Sequence, residues 1–171
     1  MMQRLPESYG SRINRNKSLT FTFEGKTFRG FEGDVIASAL IAAGQWMMSR
    51  SFKYHRPRSI LTMAGQDANC LVQVGEEANV PADIFQLRDG ISVSAQNVNG
   101  SLAWDFDATL DWFGRFMPVG FYYRTFFGPN RKSWLNFWEP LIRKKAGLGQ
   151  VALDRTPDRY GKKNLFYDVM V

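Results

Sequence analysis

The side chains best suited to chemistry lie close together in RSFKYHRPRSILTMAGQDANCLVQV, residues 50–74. His55 is the single histidine and Cys70 the single cysteine. Around the histidine stand Arg50, Lys53, Arg56 and Arg58, with Pro57 stiffening the loop. Cations of this kind can hold a phosphate or a carboxylate, arginine in bidentate fashion. The same pattern also fits a solvated basic loop, or a loop that docks on another part of an assembly. Arg50, Lys53, His55, Arg56 and Arg58 are therefore the candidates for anion binding or docking. A Cys–His nucleophilic pair would need His55 and Cys70 to meet in space, and their separation in sequence does not provide that. One histidine without a cysteine pair does not make a zinc site. The sequence thus predicts neither a catalytic constellation nor a metal centre.

The elements that must position these residues are legible from periodicity. Leu19, Phe21 and Phe23 alternate with Thr20 and Thr22, and Glu24-Gly25 turns the chain back through Thr27–Phe31. This is a half-buried β-hairpin. Gly33-Asp34 predicts a turn and a helix N-cap, with Ile36, Ala39, Leu40 and Ala43 on one helical face and Gly44 as the stop. The small residues predict close packing on a sheet. Residues 45–69 read as a loop, and 70–74 as a strand. Asp83–Leu87 reads as a further strand, and Ile91–Ser94, after Asp89-Gly90, as the last. The order predicts an α+β fold of the β-grasp, 2Fe-2S ferredoxin-like kind over residues 19–100, with Phe21, Phe23, Ile36, Leu40, Leu71 and Val93 in its core.

A plant-type cluster needs C-x4-C-x2-C and a later cysteine. With Cys70 in the third position, the first two fall on Thr62 and Asp67, and no later cysteine exists. The ligands for a cluster are missing, and Cys70 reads as a small buried hydrophobe.

Residues 1–18 read as a polar, basic arm, flexible or extended over a partner. Residues 101–150 hold more than half of the aromatic residues and predict a helical extension. Within it, Asp107–Phe116 forms a short helix exposing Leu110 and Phe113. A second helix, capped by Ser133, carries Trp134, Phe137, Trp138, Leu141 and Ile142 on one stripe, with Pro140 tolerable near a helix start. The aromatics suit either core packing or a docking surface. Residues 151–171 read as a linker and the first strand of a truncated Rossmann domain, so the chain reads as the front piece of a larger protein.

The 171 residues carry a net charge of +6, which suits anionic partners. The aromatics are not interleaved with lysine and arginine as a single-strand groove requires, so nucleic acid is not expected. No apolar run spans a bilayer and no signal peptide is visible, so no membrane partner and a cytoplasmic location are expected. One cysteine fits a reducing compartment.

Taken in order, LTFTFEGKTFRGFEGDVIASALIAAG, RSFKYHRPRS, NCLVQVG, LRDGISVSAQN, GFYYRTFF, WEPLIRKKAGLG and the terminal DVMV resemble the N-terminal region of the alpha subunit of heterotetrameric sarcosine oxidase. The resemblance implies a flavoenzyme complex that oxidatively demethylates sarcosine to glycine and passes the one-carbon unit to tetrahydrofolate. It implies FAD, FMN and NAD in the parent complex, none held by these residues alone. It also implies partners: the remainder of the alpha subunit, and beta, gamma and delta subunits. The expected role is scaffolding and docking, with no activity in the isolated chain. The alternative is a stand-alone β-grasp interaction module of a related amine-oxidising or electron-transfer complex.

Overall fold

The computed structural model describes residues 4–116, 128–130, 132–145, 156, 161–164 and 166, apart from the side chains of 113–116 and 145. Alternation of apolar and polar residues sets the sheet. Strand β1 (Asn14–Phe23) pairs antiparallel with β2 (Lys26–Glu32). Helix α1 (Ile36–Ala42) follows, then a short ribbon of β3 (Ser49–Arg50) with β4 (Pro57–Arg58). Strands β5 (Leu71–Val74), β6 (Glu77–Pro81) and β7 (Ser92–Ala95) complete a five-stranded sheet of order β2-β1-β7-β5-β6. The central pair β1 and β7 runs parallel, and the other pairs are antiparallel. This is the expected α+β, ferredoxin-like arrangement.

Burial follows the alternation. Phe21, Phe23, Ile36, Leu40, Met48, Val72 and Val93 form the core with α1 lying on the sheet. Leu71, expected there, is only partly buried, and Cys70 and Val72 point inward instead. With a period of two, Cys70 as the inward residue forces Leu71 to the other face. Close approach of helix and sheet rests on Gly30, where a Cβ would stand 2.4 Å from Leu87 and 3.0 Å from Ala39.

Helix α1 ends as its sequence predicts. Gly44 has φ +85° and donates to Ile41 O at 2.8 Å, while Gln45 donates to Leu40 O at 2.9 Å. Both bonds together make a Schellman stop. Its start differs from expectation: the N-cap is Val35, not Asp34. Asp34 sits one residue earlier, buried, and its carboxylate accepts from the Ser38 hydroxyl at 2.7 Å and Phe31 N–H at 2.9 Å. The free N–H groups of the first turn are taken by Phe85 O and Ala82 O.

That role explains a second difference. Asp83–Leu87 is not a strand but a turn that ends in an isolated bridge, Val35 to Gln86. The strand lies earlier, at Glu77–Pro81, where Asn79 and a two-residue turn obscure the alternation. At the N-terminus, β1 begins at Asn14 rather than near residue 19. Arg4 is not free either: its guanidinium grips Asp34 through two bonds of 3.0 and 2.6 Å and covers the Phe31 ring at 5.0 Å.

After the sheet, the expected short helix is a 3-10 segment, Phe106–Phe116. Further on, a π-helical turn, Trp134–Trp138, leads into α2 (Glu139–Lys145). Pro140 explains the π turn. It has no N–H for the carbonyl four residues earlier, and Glu139 N–H bonds Trp134 O five residues back. Ser133 makes no capping bond; Asn130 takes that role, its side-chain oxygen accepting from Lys132 and Ser133 N–H. Trp134, Trp138 and Ile142 are half-buried, whereas Phe137 and Leu141 are exposed. The expected linker and Rossmann strand lie largely outside the described residues. Among the described residues no helix is long and apolar enough to cross a membrane.

Candidate functional site

The ribbon β3–β4 turns at residues 51–56, closed by Ser51 N–H to Arg56 O at 2.9 Å and His55 N–H to Ser51 O at 3.0 Å. His55 takes φ +52°, a conformation in which histidine is several-fold enriched among non-glycine residues. The turn drives its ring inward, to 2 % exposure. There Nδ1 lies 2.7 Å from Asp105 Oδ2. An ionised carboxylate only accepts, so Nδ1 carries the proton and Nε2 faces the other way. Nε2 is 4.0 Å from Asp107 Oδ2. His55 and Asp107 also line a pocket of about 390 Å³ whose other walls include Asn97, Val98, Asn99, Leu141 and Lys144.

Asp105 is fixed from all sides. Oδ1 accepts Asn99 N–H at 3.0 Å and Asp107 N–H at 3.1 Å, and Arg50 Nε stands 3.4 Å from Oδ2. Arg50 is itself buried and donates to Leu102 O and His55 O. The atoms of His55, Asp105 and Asp107 fall within 4.8 Å of one another. However, Nδ1 and Asp105 Oδ2 are spent on each other and Asp105 Oδ1 on two backbone N–H groups, so the cluster does not supply the three or four ligands of a zinc site. What this arrangement can do is hold an imidazole in one orientation beside the pocket.

The five cations of the sequence motif do not converge on one anion. Arg50 and His55 are interior. Arg56 turns outward to Asp111, with bonds of 3.0 and 2.9 Å, and stacks on Tyr54. Lys53 covers the same Tyr54 ring at 5.1 Å. Arg58 bonds the side chain of Asn69. Sequence reasoning missed Asp105 and its pairing with His55. The sequence offered only an Asp-Phe-Asp triplet at residues 105–107, and a separation of 50 residues from His55 hid the pairing.

Cys70 works in a different place from His55. It is fully buried, and burial, together with the charges of Asp67 and Asp83, pushes its thiol up to about 11. It is therefore a protonated thiol at neutral pH, not a nucleophile. Above it, loop 60–70 closes on Asp67. The Asp67 carboxylate accepts Leu61 N–H, Thr62 N–H at 3.0 Å, Asn69 N–H at 2.8 Å and Asn69 Nδ2 at 3.2 Å. Burial alone would raise the Asp67 pKa; the donors of Asn69, Thr62 and Leu61 outweigh it and hold the carboxyl below its ordinary range.

Residues 16–98 match a family described as 2Fe-2S iron-sulfur cluster binding domain. The donor set does not fit such a cluster. Three of four thiolates are wanting, and a hard carboxylate fills the loop at 5 % exposure. In sequence, the chain is 42% identical over 163 residues to the sarcosine oxidase subunit alpha of Rhizobium meliloti (strain 1021), covering 93% of this chain and 16% of the relative. It is 33% identical over 95 residues to the sarcosine oxidase subunit alpha of Corynebacterium sp. (strain U-96), covering 52% and 10%. The chain thus spans about a sixth or less of the length of these relatives. Among solved structures, the L-proline dehydrogenase of P. horikoshii aligns over 48% of this chain and 16% of its own, with 25% identity and a TM-score of 0.42. Fold, matched domain and sequence agree: the chain carries a ferredoxin-like domain and resembles the N-terminal region of a sarcosine oxidase alpha subunit.

Proposed function

We infer that this chain is the scaffolding and docking part of an alpha subunit in a multi-subunit, flavin-dependent amine oxidase of the sarcosine oxidase type. The parent reaction is the oxidative demethylation of sarcosine to glycine, with the one-carbon unit passed to tetrahydrofolate. FAD, FMN and NAD are held elsewhere in the assembly. The partners are the rest of the alpha subunit and beta, gamma and delta subunits, in the cytoplasm. The family reading rests on identity over nearly the whole chain.

The docking role rests on one structural observation. Arg56 meets Asp111 at 2.9 Å, which joins the basic loop to the 3-10 segment. Next to that junction Trp112 is 81 % exposed, and Trp104 and Phe106 are 83 % and 73 % exposed. Large aromatics standing in solvent beside exposed arginines are the composition of an interface, where tryptophan and arginine supply most of the binding energy.

The experiment is co-purification of the full-length alpha-type subunit with its partners, with Arg56→Ala introduced. If the loop steers docking, association weakens relative to wild type, and the difference is larger at low salt than at moderate salt, where screening removes the loop's contribution. Unchanged assembly at both salt levels removes the loop from the interface. In parallel, the isolated chain supplied with flavin, NAD and sarcosine shows no turnover; measurable turnover would contradict the scaffolding role.

A further inference from the structure

A plant-type cluster orders its loop by a buried negative centre that receives hydrogen bonds at its sulfurs. The three positions with cluster spacing here are Thr62, Asp67 and Cys70. Two of them meet, but not through metal: Thr62 N–H donates to Asp67 Oδ2 at 3.0 Å. Leu61 N–H donates to the same oxygen, and Asn69 reaches Oδ1 through both its backbone and its side-chain nitrogen. All four donors lie within six residues of Asp67. The carboxylate is 5 % exposed.

The surroundings lock this arrangement. Arg58 holds the Asn69 side-chain oxygen, which aims the Asn69 amide nitrogen at Asp67. Ser49 Oγ donates to Asn69 O at 3.2 Å, tying β3 to the end of the loop. Asp67 N–H donates to Asp83 Oδ2 at 3.3 Å, and Ala82 N–H to Cys70 O at 3.0 Å, so the loop is fastened to the turn that caps α1.

We propose that Asp67 replaces the iron–sulfur cluster as the anionic centre of loop 60–70, so that this domain keeps a cluster-type loop ordered without iron. A carboxylate carries the negative charge that converging N–H groups require, as at other backbone anion nests. The role also assigns a function to Arg58 that no anion-binding reading gave it: it orients the Asn69 donor. A carboxylate at the loop centre both orders the loop and denies iron the second thiolate position.

Amide hydrogen exchange at Leu61, Thr62 and Asn69 tests this, with the amides of β1 and β2 as an internal control. In wild-type protein purified without iron, the three amides are protected. Adding ferrous iron and sulfide under anaerobic reducing conditions changes neither their exchange nor the visible spectrum. Replacing Asp67 by Asn keeps the shape but removes the charge and turns an amide group toward donors. Exchange at the three amides then rises by roughly tenfold or more, while the hairpin controls hold their rates. Fast exchange in iron-free wild type that slows on adding iron and sulfide would overturn the proposal. So would the appearance of cluster absorption, or equal protection in Asp67→Asn. The wild-type arm stands even if the variant unfolds.

Discussion

Asp67 and Asp105 are both buried carboxylates that collect backbone N–H groups, but they join the chain over different distances. The donors to Asp67 come from Leu61, Thr62 and Asn69, all inside its own loop. Asp105 also gathers local N–H groups, from Asn99 and Asp107, yet its other oxygen reaches His55 and Arg50, about fifty residues earlier. One carboxylate organises a loop; the other fastens the segment after the sheet to the ribbon before it. The difference shows in what each leaves behind when removed. Without Asp67, neutral N–H groups lose an acceptor. Without Asp105, a buried guanidinium loses its counter-charge.

The largest effect is therefore expected at Asp105. Asp105→Ala leaves Arg50 buried without its anion and should lower stability by about 3–5 kcal/mol, read as a shift in denaturation midpoint. A shift under about 1 kcal/mol would mean that the carbonyls of Leu102 and His55 satisfy Arg50 by themselves.

Asp67→Ala should lower stability by about 1–3 kcal/mol, the loss of an acceptor shared by several donors. If it equals the Asp105 effect, the local-versus-long-range distinction fails.

Acid tests the Asp67 loop by itself. The Asp67 pKa is lowered in the fold. Its contribution is thus complete above the unfolded carboxyl value, about 3.9, and is lost as pH falls through the lower folded value. The groups facing it are Asp83, Cys70 and, through Asn69, Arg58. Exchange at Leu61 and Thr62 should stay slow at pH 5 after correction for the intrinsic rate. Loop opening between pH 7 and 5 would contradict the depressed pKa.

The smallest effect is expected at Arg56. Its bond to Asp111 joins two exposed side chains, and Arg56→Ala should change stability by about 0–1 kcal/mol. A larger loss would make the Arg56–Asp111 contact part of the fold's own support rather than of an interface.

These contrasts also mark what the sequence could reveal. The hairpin, α1 and its Gly44 stop, β5 and β7 were legible because local period and turn chemistry decide them. So were the cluster positions, because Thr62, Asp67 and Cys70 keep a fixed spacing. What Asp67 does there was not legible, since an aspartate among polar loop residues looks like solvent-facing composition. The His55–Asp105 pair was hidden by distance along the chain. That Arg50 and His55 turn inward while Arg56 and Arg58 face solvent, with Lys53 half-buried, was not legible either, because the basic composition of the loop says nothing of which side chains the turn at His55 folds in. The strand placed at Asp83–Leu87 failed for another reason: the chain turns there so that Phe85 O, with Ala82 O just before it, caps α1.

The central claim is that the exposed aromatics beside the Arg56–Asp111 junction form a docking surface. Replacing Trp104 and Trp112 together by Ser in the full-length alpha-type subunit tests it most directly. Both rings stand in solvent in this chain, so the same two changes in the isolated 171-residue chain should alter its stability by no more than about 0.5 kcal/mol. The account predicts that the variant no longer co-purifies with the partner subunits, or that the alpha-type subunit itself opens to proteolysis between this domain and the rest. Full assembly, with wild-type resistance to protease, would contradict it.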